Sequence, residues 1–568
     1  MMKQLKLEDY SIIKPYLDMA DYEGYNSNFV TMMMWNHEYH IMYEIHDHFL
    51  IMLHHYKETK FWAMPFTTSQ YYQEAIDYMI EYSHQHHFPF IIDCAIESFV
   101  EQIKSIYQNQ LLFQKTPYND DYIYDRQMLQ TLSGKKMQKR RNHYNAFLKE
   151  YPDYVYRDLD IVEDFEIILS CLNRWENEKD DMSESMTSEV RGIMYLLSSK
   201  HMLDFEVGGI FIRGQMEAFI IASRLKHSTI QIHVEKANKE IRGLYPAVLK
   251  AMLEHHFPDE KYVNREEDMG LENLRKSKQS LHPFKMVHKY CIKEKNFEVV
   301  MAKSEEKDEV MRLWKTCFKD ETEISTNFYF QYLYNCHTTY LLKNYHQVLS
   351  ALQIVPMTIC KNNHKEVCYL ILGVSTDPHV QGQGCMKYLL TYVLNQFKDQ
   401  KIYLQAYVPE IYHPFGFYAS HYHQCIDVDK SQLLMNTMNP ISDISLLKSY
   451  YEAYTASFDE YRLRDQQYWN LFIKRCQAFE EKILIFKDLG YFVYYQDEEA
   501  IHISEFIYLN ETAILMMLSY WHDTDLKILL ECDMRVKIAG DSQNIITMMS
   551  NQELSDHLDR NKFINEVY

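Results

Sequence analysis

The chain has 568 residues, 47% of them hydrophobic, with a formal net charge of −21 and 11 cysteines. So long a chain exceeds a single core and divides into several domains. The negative balance disfavours general affinity for nucleic acid or anionic membrane, though a local basic patch can still act.

The cysteines are scattered without a CxxC pair and read as reduced thiols of a cytoplasmic protein. The opening stretch "MMKQLKLEDYSIIKPYL" is charged throughout and has no apolar signal core. Nowhere do about 18 apolar residues run together, so no membrane span is expected.

In chain order, residues 29–56 predict a helix leading into strands. They contain His37, His40, His46, His48, His54 and His55, but His37 and His40 are spaced too closely for HExxH, and no metal is expected. "GKKMQKRRNHYNAFLKEY" predicts a helix starting on Lys135, Lys136, Lys139, Arg140 and Arg141. So dense a cationic run in an acidic protein suits a phosphate-bearing ligand; it also reads as a solvated basic face. A hairpin turning at Arg213-Gly214, the strand "TIQIHVEKA" and the helix "LYPAVLKAMLEHHF" follow. Arg265, Glu266 and Glu267, with Arg275 and Lys278 after them, line a cleft or form a structural ion-pair network.

No Gly/Ser- or Pro-rich linker interrupts the chain, and the clearest change of pattern lies at "KEKNF", Lys293 to Phe297. A strand leads to Ser304 as N-cap, with Glu305 and Glu306 in the first turn and Val310, Leu313, Trp314 and Cys317 at helical spacing. A meander, a long strand, a tight turn, a helix from Cys385 and the strand "KIYLQAYV" complete a mixed α/β pattern rather than a doubly wound sheet.

The tight turn holds Gly382 and Gly384 in a chain with only 14 glycines. Strand, glycine turn and helix N-terminus together make an anion site, where orphan amides converge and the helix dipole favours negative charge. The turn is neither a Walker A loop nor GxGxxG. Downstream, "YHPFGF" places Tyr412 four residues before Gly416.

On "GVSTDP", "QGQGCM" and "YHPFGF" this region resembles the GCN5-related N-acetyltransferases, and most nearly their enhanced-intracellular-survival branch. The resemblance implies that Val374, Ser375 and Thr376 pair with pantetheine. It implies that Gln381, Gly382, Gln383, Gly384, Cys385 and Met386 hold the pyrophosphate of acetyl-CoA, Met386 standing where Gly or Ala is usual. Tyr412 then protonates the leaving thiolate. The ending "NKFINEVY" is similar to the family's terminus and implies the α-carboxylate of Tyr568 as base.

On "YIYDRQMLQTLSGKKMQKRRNHYNAF" and "YVNREEDMGLENLRKSKQSLHPFKMVHKY" the first half resembles the soluble family related to the C-terminal domain of phosphatidylglycerol lysyltransferase. Lys135, Lys139, Arg140, Arg141 and Arg265 are its expected phosphate contacts.

The expected architecture is mixed α/β, with tandem acyl-CoA N-acyltransferase-like lobes, two per half. Residues 1–293 split near 150, a catalytic lobe covers 295–430, and a second, non-catalytic lobe covers 431–568. The expected activity is acetyl-CoA-dependent N-acetylation of an amine on a small molecule or peptide, a cationic one by electrostatic steering. The rivals are aminoacyl transfer from tRNA by the first half and a non-catalytic ligand-sensing protein.

Overall fold

Apolar residues at every second position make strands here, and those at every third or fourth make helices. In this computed structural model they assemble two compact units, Met1–Lys295 and Asn296–Tyr568. The structure describes residues 2–160, 162–177, 184–435, 438–552 and 561–565. It is mixed α/β, with helices flanking mixed sheets. Among the described residues no helix is long and apolar enough to cross a membrane.

The first unit holds two sheets of seven strands each. One runs from Lys3–Gln4 to Leu111–Lys115 and takes in Lys289–Glu294 between Ile91–Ile96 and Leu111–Lys115. The other runs from Lys285–Val287, which lies beside Asp121–Asp125, to Val155–Asp158. The sheets therefore divide between Lys115 and Asp121 rather than near 150. Position 150 is only the end of the helix Gln138–Glu150, which packs on the helix Leu244–His255 of the second lobe through the buried Phe147. The strand at 289–294 crosses back to the first sheet, so each lobe is closed by distant sequence.

The second unit is built on one continuous sheet. Gly540–Ser550 pairs antiparallel with Ile402–Leu404 on one edge and with Tyr418–Val428 on the other. The expected boundary at 430 therefore does not separate two sheets: a strand from the far end of the chain lies inside the lobe expected to end there. The helix Lys307–Cys317 is entered through a 3-10 turn at Ser304–Glu306. The side chain that closes this turn is Glu306, which accepts from the Lys303 N–H at 2.7 Å, and not Ser304. Val310 and Leu313 are buried as the spacing predicts.

Candidate active site

The strand His364–Thr376 pairs parallel with Ile402–Leu404 only over Tyr369–Ile371. Beyond Ile371 it stays bonded to Gln347–Lys361 alone, so residues 372–376 border a wedge in the sheet. A bulge sits at the splitting point, where Leu352 faces both Gly373 and Val374. Gly373 has φ +62, and a Cβ there would overlap the Trp314 ring. Glycine is thus required twice, by its backbone angle and by the indole.

The strand then enters the glycine turn. Asp377 caps a short 3-10 turn by accepting from the His379 N–H at 2.9 Å, and Gln381 Nε2 reaches back to the Thr376 carbonyl at 3.3 Å. Gly382 and Gly384 have φ +75 and +85, and a Cβ on either would meet nothing within 4 Å. Gly384 is the N-cap of the helix Cys385–Gln396, which has no capping side chain. Its first bond runs from Tyr388 N–H to the Gly384 carbonyl, leaving the Met386 and Lys387 amides at the positive end of the dipole. The combination of open space, left-handed glycines and outward amides fits a pyrophosphate. Ser375 and Cys385 are buried, so they can offer a ligand only their main chain.

The other side of the wedge, Ile402–Leu404, leads to the 3-10 segment Pro409–Phe415, which carries Tyr412. Gly416 ends that segment with φ +84, and Tyr412 packs edge-on against the buried Phe417. Among the described residues the Tyr412 hydroxyl has no hydrogen-bond partner, and burial pushes its pKa up to about 12. It therefore stays protonated at neutral pH and can donate.

Beneath the same strand lies a buried charge cluster that sequence reasoning missed. Glu460 accepts from Lys401 Nζ at 2.9 Å and from the Tyr403 hydroxyl, and His421 Nε2 lies 3.5 Å away. Tyr403, His421 and Glu460 come from three separate strands and Lys401 directly precedes one of them, and no local signal joins them. The chain end runs beside it: Lys562–Phe563 pairs parallel with Glu460–Tyr461, and Ile564 and Asn565 are buried. Tyr568 lies outside the described residues.

In the first unit the expected phosphate contacts separate. Lys135 and Lys139 line an open cleft of about 490 Å³ with Lys136, Asn142, His143 and Arg242. Arg141 instead donates to the Leu132 and Gly134 carbonyls, Arg140 to Ser280, and Arg265 pairs with Glu235 at 2.6 Å. These three serve the fold and do not line the cleft. Sequence reasoning missed Arg242, which stands before Gly243 at the start of a helix far along the chain.

A second polar cluster marks where the chain crosses between the two sheets. Lys289 and Asp121, both fully buried, pair at 2.6 Å, and Asn264 Nδ2 donates to Asp121 at 2.8 Å. Nearby, Glu266 accepts from Gln231 at 2.8 Å and holds φ +57. Burial, then the neighbouring Glu267, push the Glu266 carboxyl well above the ordinary carboxylate range. A carboxyl raised in the folded state stabilises at low pH, and that contribution is lost as pH rises from the ordinary carboxylate value toward the folded one. Glu266→Gln should flatten the decline in unfolding free energy between pH 5 and pH 8 by roughly 1–2 kcal/mol. Parallel curves for the two proteins in pH-dependent urea titrations would contradict this.

Among the described residues no group of three or more His, Cys, Asp or Glu is arranged to hold a metal ion. His46 stacks on Phe49 and His48 on Tyr71.

Comparison with known proteins agrees with the division of the chain into unlike halves. Residues 19–293 match the family described as "Phosphatidylglycerol lysyltransferase, C-terminal". Residues 298–419 match the "Acetyltransferase (GNAT) domain". An uncharacterised protein of Mycoplasmoides gallisepticum is 26% identical over 200 residues, which cover 34% of this chain and 61% of that protein.

Among solved structures, a conserved protein of unknown function from Bacteroides thetaiotaomicron is similar with TM-score 0.48 and 27% identity, covering 52% of this chain and 99% of that one. L-PGS from Bacillus licheniformis gives 0.39 and 14%, over 50% and 92%. Eis1 from Mycobacterium abscessus gives 0.33 and 12%, over 42% and 65%.

Proposed function

We propose, taking the chain as an acyltransferase by its GNAT acetyltransferase domain, that it transfers the acetyl group of acetyl-CoA to an amine at the wedge between His364–Thr376 and Ile402–Leu404. The observation that carries this reading is the wedge opening directly onto the Gly382–Gly384 turn. Residues 372–375 offer the pantetheine amides a strand edge on which no further strand pairs. The Met386 and Lys387 amides and the helix dipole meet the pyrophosphate.

The neutral amine attacks the thioester carbonyl; a C–N bond forms and the C–S bond breaks. Tyr412 gives its proton to the departing sulfur. The attacking amine loses its proton to water. The net charge of −21 favours a cationic acceptor. The eleven cysteines are all unbridged, which fits a reducing compartment, and we assign the protein to the cytoplasm on that ground. The first half is assigned acyl transfer as a class, with no donor specified.

The test is calorimetric titration of the full chain with acetyl-CoA, followed by thiol release in the presence of a panel of primary amines. Absence of acetyl-CoA binding, or preference for a longer acyl thioester, would remove the reading.

A further inference from the structure

The helix Gln138–Glu150 begins against the usual electrostatic rule. Its N-cap is Met137, with no capping side chain and no acidic residue in the first turn. Lys139, Arg140 and Arg141 stand there instead, so like charge meets the positive end of the dipole. The helix Leu244–His255 repeats the arrangement: its N-cap, Gly243, has φ +88 and no capping side chain, and Arg242 precedes it. A Cβ on Gly243 would overlap the His143 carbonyl, so this helix end is held tightly against the first helix. Both ends contribute to the 490 Å³ cleft.

Among the described residues, the side chains of Lys135, Lys136, Lys139 and Arg242 form no ion pair and no hydrogen bond. Burial first, and then the charges of Arg242, Arg140 and Lys139, hold His143 below the ordinary imidazole value. Four uncompensated cations therefore face one concavity on a protein whose net charge is −21. A cluster that breaks local rules without an internal partner marks a place where an external one belongs.

We propose that this cleft binds a small molecule carrying two or three linked phosphates. A single phosphate would leave about half of the four charges unmatched, whereas a di- or triphosphate balances them. Arg242 supplies a planar fork, and the lysines supply point charges. No Tyr, Phe or Trp lines the cleft, so the phosphates and not a base are recognised. A nucleic acid would instead need cations spread along a track, and the acidic remainder of the molecule repels an extended polyanion.

The experiment uses the full chain, with and without Gly384→Asp so that the acetyl-CoA turn cannot account for binding. Inorganic tripolyphosphate, ATP and GTP are titrated calorimetrically against wild type, Lys135→Gln/Lys136→Gln/Lys139→Gln and Arg242→Gln. All three ligands should bind with similar affinity. The triple variant should lose on the order of 10²-fold, and Arg242→Gln on the order of 10-fold. Tripolyphosphate should raise the Tm of wild type but not of the triple variant, whose substituted side chains are exposed and leave the core intact. Equal affinities across the variants, no binding of any of the three, or retention of transfer RNA that tripolyphosphate fails to displace would each overturn the proposal.

Discussion

Gly384→Asp should weaken acetyl-CoA binding by at least 10²-fold while the protein stays folded. Three effects are separable at this position. The backbone sits at φ +85, which costs an L-residue roughly 1–2 kcal/mol, less for Asp and Asn. A side chain there meets open space, so no clash adds to that cost. The remaining effect is charge: a carboxylate at the helix N-terminus would stand where the pyrophosphate is expected, and repulsion between close like charges is worth several kcal/mol where water is partly excluded. Gly384→Asn isolates the charge, because it carries the same shape and tolerates the same φ. Calorimetry on the two variants should therefore differ by most of the effect. Undiminished affinity in a folded Gly384→Asp protein would sink the assignment of the turn.

Tyr412→Phe should lower kcat on the order of 10²-fold, the usual loss for a general acid, and leave acetyl-CoA affinity almost unchanged. The ring stays, so its edge-on contact with Phe417 survives. Only the hydroxyl is lost, and it serves no other group among the described residues. Because burial lifts the Tyr412 pKa to about 12, wild-type turnover should show no loss attributable to tyrosine ionisation below that pH. Any alkaline fall at lower pH belongs to another group and should persist unchanged in the residual activity of Tyr412→Phe. Steady-state kinetics across pH, with single-turnover measurements to isolate chemistry, decide the matter; full activity in the variant would leave the thiolate to be protonated by water.

Local chemistry made the glycine turn of the candidate site readable from sequence. "QGQG" after an apolar strand and before an amphipathic helix has few physical explanations, and the Y-x-x-x-G-F element follows at short range. Gly373 was not readable: a lone glycine in an apolar run gives no hint that Trp314 presses on it. The basic run at Lys135–Arg141 was visible as charge, but not which side chains face outward. Arg140 and Arg141 are turned aside by Ser280 and by two carbonyls. Their replacement, Arg242, comes from a helix end that only tertiary packing brings near. The lobe boundaries failed for a related reason. Without linkers, a boundary is a property of strand pairing, and the pairings at 289–294 and 540–550 are made with partners distant in sequence.

That last pairing has a consequence for how the protein is made. A chain emerging from the ribosome offers the glycine turn and Tyr412 long before Gly540–Ser550 exists to fill the place between Ile402–Leu404 and Tyr418–Val428. Through that interval two strand edges carry bare amides and carbonyls, the template on which wrong pairings form. The turn-bearing lobe therefore cannot finish folding as it is translated, although the first unit can. Completion waits on a contact of very large sequence separation, which is slow to form, and the nascent second unit should depend on chaperones that shield open sheet edges until Gly540–Ser550 arrives.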